Sequence, residues 1–187
     1  MEIFKGRITS SGFASGDRIV IGDWQESILG SFTNLMWAKS DGTRVLLSPS
    51  EKHAELVSKL YNFEEVNIVE FKVERGRKSI SVSAGDLHIE ATWGMTWRIP
   101  FWRPLWFTAF IEGFFGKILF GTKTHGRTKN NRKAWYSVRS ISKLIQASAK
   151  FGNEDLGESR KFVATACFGF SEPPAKPSSV TLKTYIK

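Results

Sequence analysis

The sequence predicts an α+β domain dominated by one strongly curved antiparallel sheet, or a partly closed β-barrel, with two helices. Three observations lead there. Short segments of alternating apolar and polar residues recur nine or ten times along the chain. Nearly all connections between them are too short for the crossovers that parallel strands need. Only two stretches, near 48–61 and 104–119, carry helical signals. So many strands leave exposed edges unless the sheet closes, which is why curvature is expected. No internal repeat or low-complexity linker divides the 187 residues, so one domain over 1–187 is expected. A chain of this length buries roughly 70% of its unfolded surface and needs no disulfide or metal to fold.

Residues 3–9 and 17–24 read as the first two strands, with Ser10-Ser11-Gly12 and Ser15-Gly16 as turn chemistry between them. Residues 31–39 alternate, with Phe32, Asn34, Met36 and Ala38 on one side. Asp41-Gly42 then separates them from Arg44-Val45-Leu46-Leu47, a strong hairpin signal because Gly takes positive φ freely. Ser48-Pro49-Ser50-Glu51 reads as a helix start, with Ser48 as N-cap and Glu51 completing a capping box. The helix should run to about Tyr61, with Leu56, Val57, Leu60 and Tyr61 on its apolar side.

Glu64 to Glu74 reads as one strand with Val69, Phe71 and Val73 on a shared face. Ser79 to Ser83 and Leu87 to Trp93 complete an antiparallel meander. Pro100 and Pro104 interrupt the chain, and Pro104 can open a helix to about Leu119. Gly121 to Lys133 is a polar loop, and Ala134 to Ile141 a strand. Residues 142–150 fit either helix or strand. Strands over 161–170 and 180–186 end the chain, the last with Val180, Leu182, Thr184 and Ile186 on one face.

Some of these segments carry a resemblance. Ser15-Gly16-Asp17-Arg18, Val20-Ile21-Gly22-Asp23-Trp24 and Leu29-Gly30-Ser31-Phe32 belong to it. So do Asp41-Gly42-Thr43-Arg44-Val45-Leu46-Leu47, Trp135-Tyr136 and Asp155-Leu156-Gly157. Together they resemble a family of uncharacterised conserved actinobacterial proteins of unknown function. The resemblance implies no activity and transfers no catalytic residue.

Charge divides unevenly. Residues 1–93 hold 11 Lys+Arg against 13 Asp+Glu, net −2, and residues 94–187 hold 16 against 5, net +11. The sum of +9 favours anionic partners: nucleic acid, an anionic membrane surface or acidic small molecules. The N-terminus MEIFKGRITSSGF lacks the apolar run of a signal peptide, and the one Cys suits a reducing compartment, so a cytoplasmic location is expected. Residues 99–120 approach membrane length but contain Arg103, Glu112 and Lys117, so no spanning helix is expected.

Familiar catalytic signatures are absent, among them G-x-S-x-G, G-x-G-x-x-G and H-E-x-x-H. Asp86, His88 and Glu90 alternate along one strand face, where a His could serve as a base oriented by a carboxylate. The plainer alternative is the solvated face of a half-buried strand. Cys167 reads as a small buried residue. With few His and one Cys, neither a metal nor a cofactor is expected.

Lys123, Arg127, Lys129, Arg132 and Lys133 form a basic segment within 117–143 that could neutralise phosphates, or could be a solvated loop. The aromatic stretch from Trp93 to Phe120 could pack a core, line an apolar pocket or touch lipid. The favoured expectation is a soluble binding protein for a small acidic or amphipathic ligand such as a fatty acid. Trp97, Trp102, Trp106, Phe110 and Phe114 would line its apolar pocket, with basic residues at the mouth. Nucleic-acid binding through 117–143 and an enzyme at Asp86/His88/Glu90 are the alternatives.

Overall fold

A computed structural model describes residues 2–98, 125–127, 133–162, 168–169 and 173–186. Its first strand, β1 (Glu2–Phe13), pairs on both sides. One flank carries β2 (Arg18–Glu26), β3 (Phe32–Ala38) and β4 (Arg44–Ser48), joined as hairpins. The other carries the late strand β13 (Ser178–Ile186), then β10 (Lys133–Phe151) and the meander β8 (Leu87–Arg98), β7 (Ser79–Ala84) and β6 (Phe71–Arg75). Short pieces β9 (His125–Arg127), β11 (Glu154–Asp155) and β12 (Ser159–Arg160) pair beside β10 and β1. Every pairing is antiparallel except one. Helix α1 (Glu51–Ser58) is the crossover that lays β5 (Glu65–Ile68) parallel to β4.

The sheet curls into a half-barrel. Its two edge strands, β5 and β6, are consecutive in sequence and separated only by Val69 and Glu70. Three Cα–Cα steps hold Ile68 and Phe71 within about 11 Å, so the opposite edges of the sheet meet at this end. Val69 N–H donates to Ser48 O at 3.0 Å, and Glu70 O accepts from Gly85 N–H at 3.3 Å, tying the link to both flanks. The expected single strand over Glu64–Glu74 is therefore two strands on opposite edges.

Curling gives two apolar cores. Inside the curve, Ile19, Ile21, Leu35, Trp37, Val45 and Leu47 face Ile80, Val82, Leu87, Ile89 and Trp93 across the concavity. Outside it, α1 and the turn after it cover the convex face of β1–β4, with Ala54 and Val57 of the helix and Leu60 and Tyr61 beyond it buried against Phe4, Val20, Phe32, Met36 and Leu46. Eight residues are too few for a stable isolated helix, so this packing holds α1 in place.

The N-cap is Ser50 rather than Ser48. Ser48 is still committed to the sheet, where it pairs with Ile68 and its carbonyl accepts from Val69. The Ser50 hydroxyl makes no capping bond; it meets His53 Nδ1 at 2.7 Å, and His53 stacks on Phe32 with centroids 4.4 Å apart.

Residues 142–150 resolve as strand, because all of them belong to β10. The expected helix over 104–119 and Cys167 lie outside the described residues. So do residues 163–167 and 170 of the strand expected over 161–170; Lys161, Phe162, Phe168 and Gly169 are irregular. Among the described residues no helix is long and apolar enough to cross a membrane.

Candidate functional site

In antiparallel ladders, directly opposed residues project from the same face. One rung here can be followed across six strands: Thr33, Asp23, Arg7, Thr181, Ser140 and Arg98, on β3, β2, β1, β13, β10 and β8. The next rung inward reads Leu35, Ile21, Thr9, Ser179, Ser142 and Thr96. Beyond it the concavity becomes the inner apolar core. Polarity thus falls in steps from the mouth of the half-barrel to its interior.

At the mouth lies a cleft of about 560 Å³. Five cations line it: Arg7, Arg77, Lys78, Arg98 and Arg139. Among the described lining residues there is no carboxylate. Thr96, Ser140, Thr181 and Trp93 supply the remaining surface. The hydroxyls are already ordered by one another. Ser140 Oγ lies 2.5 Å from Thr181 Oγ1, and Thr96 Oγ1 lies 2.8 Å from Ser142 Oγ.

Each cation has a structural reason for its place. Arg7 lies opposite Asp23, just beyond a bulge at Gln25 of β2, and spans the floor, with Nη1 donating to Ser179 Oγ at 2.9 Å and Cζ 4.4 Å from the centre of the Trp93 ring. Burial pushes the Arg7 guanidinium pKa below its ordinary value, while the charge of Asp23 opposes that shift. Arg139 is the extra residue of a bulge in β10, where the register to β13 slips between Val138 and Ser140. Bulges re-aim side chains, and this one brings Arg139 to the cleft beside Ser140.

Arg77 and Lys78 sit on the β6–β7 turn. Next to them, Arg75 is clasped by Asp23: Nη2 to Oδ1 is 2.7 Å and Nε to Oδ2 is 3.1 Å. Thr33 Oγ1 donates to the same Oδ1 at 2.8 Å and accepts from Arg75 Nη2 at 3.1 Å. The hydrogen bonds that Asp23 accepts raise the Arg75 pKa above its usual value. Asp23 therefore anchors the turn, and Arg77 and Lys78 are left to face the cleft.

Those residues singled out from sequence that are described do not line this cleft. Asp86 is exposed in the β7–β8 turn. His88 and Glu90 sit on the outer face of β8, with His88 Nε2 3.2 Å from Glu90 Oε1 and His88 Nδ1 2.8 Å from Ser83 Oγ. The pair is largely exposed and lines neither this cleft nor the crevice under α1. Trp97 opposes Ile141 on the convex face and is 70% exposed. Arg127 and Lys133 are register partners in the β9–β10 ladder. Trp102, Trp106, Phe110, Phe114, Lys123, Lys129 and Arg132 lie outside the described residues.

An apolar crevice does exist, between α1 and the convex face, bordered by Phe4, Val20, Trp24, Phe32, Leu60 and Tyr61. It holds only about 30 Å³, the space of one or two waters. Among the described residues no group of three or more His, Cys, Asp or Glu could hold a metal ion.

Only Arg139 of the five cleft cations lies in the basic segment read from sequence. For Arg7 the signal is parity. Arg7 shares its strand face with Thr9 and Ser11, and Asp23 shares its own with Ile19 and Ile21. Charges in phase with core positions mark an inward-facing site.

No protein-family model and no curated protein matches the chain. A solved structure, acetoacetate decarboxylase from Legionella pneumophila, aligns over 100% of this chain and 84% of that one, at 13% identity and a TM-score of 0.42. At that level of likeness neither fold nor chemistry transfers.

Proposed function

We propose that the chain is a cytoplasmic binding protein for a small, multiply charged anion held in the basic cleft. One observation carries this reading: five cations drawn from four parts of the chain converge on one concavity whose described lining has no carboxylate. A cluster of like charges opposes folding through mutual repulsion. An anionic ligand neutralises it and recovers that free energy on binding.

The acidic ligand expected from composition is retained; of the residues expected to line an apolar pocket, Trp102, Trp106, Phe110 and Phe114 lie outside the described residues. Trp97 itself belongs to the convex face, away from the basic cleft. The exposed His88–Glu90 pair offers no enclosed place for a reaction.

Titration calorimetry with pyrophosphate at low ionic strength tests the reading. One-to-one binding that weakens steeply with added salt supports it. Absence of binding, or binding indifferent to Arg7→Gln and Arg139→Gln, removes it.

A further inference from the structure

Resting on the cleft as an anion site, we infer that its ligand is a compact polyol bearing two or more phosphate groups. Four of the five cations are arginines, whose planar forks match phosphate oxygens in pairs. They stand on β1, on β8, on the β10 bulge and, with Lys78, on the β6–β7 turn. One phosphate occupies two or three such donors, so cations spread around about 560 Å³ call for more than one anionic group. That space falls within the ~300–1,000 Å³ usual for small-molecule sites.

What lies between the cations points to the ligand's body. Ser140 and Thr181 share one hydrogen bond, as do Thr96 and Ser142. Each hydroxyl has one proton and two lone pairs, so the Ser140–Thr181 pair, both of which line the cleft, keeps one O–H and several acceptor sites, and Thr96 adds an acceptor. Such a surface complements ligand hydroxyls. It does not complement a hydrocarbon chain.

A nucleobase needs an open aromatic face to stack on. Trp93, the aromatic residue among the described lining, is 5% exposed and has Arg7 over its ring at 4.4 Å. Trp97 belongs to the other face of the sheet. The cleft thus offers phosphate forks and hydroxyls, and no stacking platform among its described residues.

The test compares probes on the full chain at low salt: fructose bisphosphate, inositol trisphosphate, pyrophosphate, ATP and citrate. The two polyol phosphates should bind at least about tenfold tighter than the others, the scale of one added charge-assisted contact. Ser140→Ala and Thr181→Val should weaken the polyol phosphates more than pyrophosphate. Arg7→Gln and Arg139→Gln should weaken every anion.

If pyrophosphate or ATP binds as tightly as the polyol phosphates, the inference is overturned, while sensitivity to the arginine variants keeps the anion-site reading. If no anion binds, both fall. A further arm uses phosphatidylcholine vesicles with and without phosphatidylinositol bisphosphate. Tighter binding to the loaded vesicles than to inositol trisphosphate identifies a lipid headgroup as the source. The reverse identifies a free metabolite, and either order supports the ligand class.

Discussion

Arg75 and Asp23, 52 residues apart in sequence, fasten the curled sheet across its own concavity. Arg75 ends the edge strand β6, and Asp23 lies on β2 near the middle of the opposite flank. The forked geometry makes this the firmest polar tie between the two flanks, and it places the turn that carries Arg77 and Lys78. Arg75 is half exposed, so its contribution is well below that of a buried pair. Arg75→Ala should lower stability by about 1–2 kcal/mol, because the nearly buried Asp23 carboxylate loses its partner. Urea denaturation checks this, and a double-mutant cycle with Asp23→Asn should return a coupling of about 0.5–2 kcal/mol.

Arg7 separates function from stability. Its guanidinium is partly desolvated without a carboxylate bonded to it, and its gains are the Ser179 hydrogen bond and the Trp93 ring. Arg7→Met fills similar volume without the desolvated charge. Its stability should change by less than about 1 kcal/mol, since the loss of a cation–π contact and the removal of a buried charge oppose each other. Anion binding should weaken at least about tenfold in the same variant. Thermal unfolding and calorimetry on one sample measure both.

Gly6 is required by close approach rather than by its φ. A Cβ there would meet Asp23 O at 2.3 Å and the Trp24 Cα at 2.9 Å, both backbone atoms that cannot swing aside. Gly6→Ala should force β1 and β2 apart beside Arg7 and destabilise by about 1–3 kcal/mol, the usual range for overpacking. A variant as stable as the parent contradicts the close β1–β2 contact.

Glu64 fixes the register of the parallel pair β4–β5. Its carboxylate accepts from the Arg44 side chain and backbone N–H, and Glu64 N–H donates to Arg44 O. The Arg44 side chain, then its N–H, hold the Glu64 carboxyl down to about 2 from 4.5. A depressed folded pKa means the contribution is whole above the unfolded value and is lost as pH falls from near 4.5 toward about 2. An NMR titration should place the Glu64 midpoint near about 2, and Arg44→Gln should return it toward 4.5.

Local patterns carried much of the fold. Val180, Leu182, Thr184 and Ile186 are buried in alternation, as period-two reading requires. Asp41-Gly42 turns between β3 and β4, with Gly42 at φ +91°. The break at Val69-Glu70 leaves only a phase slip in the sequence, from Val66 and Ile68 to Val69, Phe71 and Val73, and its meaning shows only in the pairing of the two halves with different strands. What separates them is the curl of the whole sheet.

The site was hidden for a related reason. Thr33, Asp23, Arg7, Thr181, Ser140 and Arg98 become neighbours only through five successive registers, and sequence separation says nothing of them. The bulge that presents Arg139 is likewise a property of pairing with β13. Counting charge along the chain directed attention to 117–143, yet Arg7, Arg77 and Lys78 come from the half with net charge −2. Phase with core residues points to Arg7, while Arg98 is displaced from that phase by the register shift in β8 and Arg77 and Lys78 sit on a turn.

The most direct measurement is a calorimetric titration of fructose bisphosphate into the native chain and into the Arg7→Gln/Arg139→Gln variant at low salt. Saturable one-to-one binding to the native chain, lost in a variant that still unfolds cooperatively, is the result expected of a basic anion-binding cleft. Equal binding by both proteins, or none by the native chain, would contradict it.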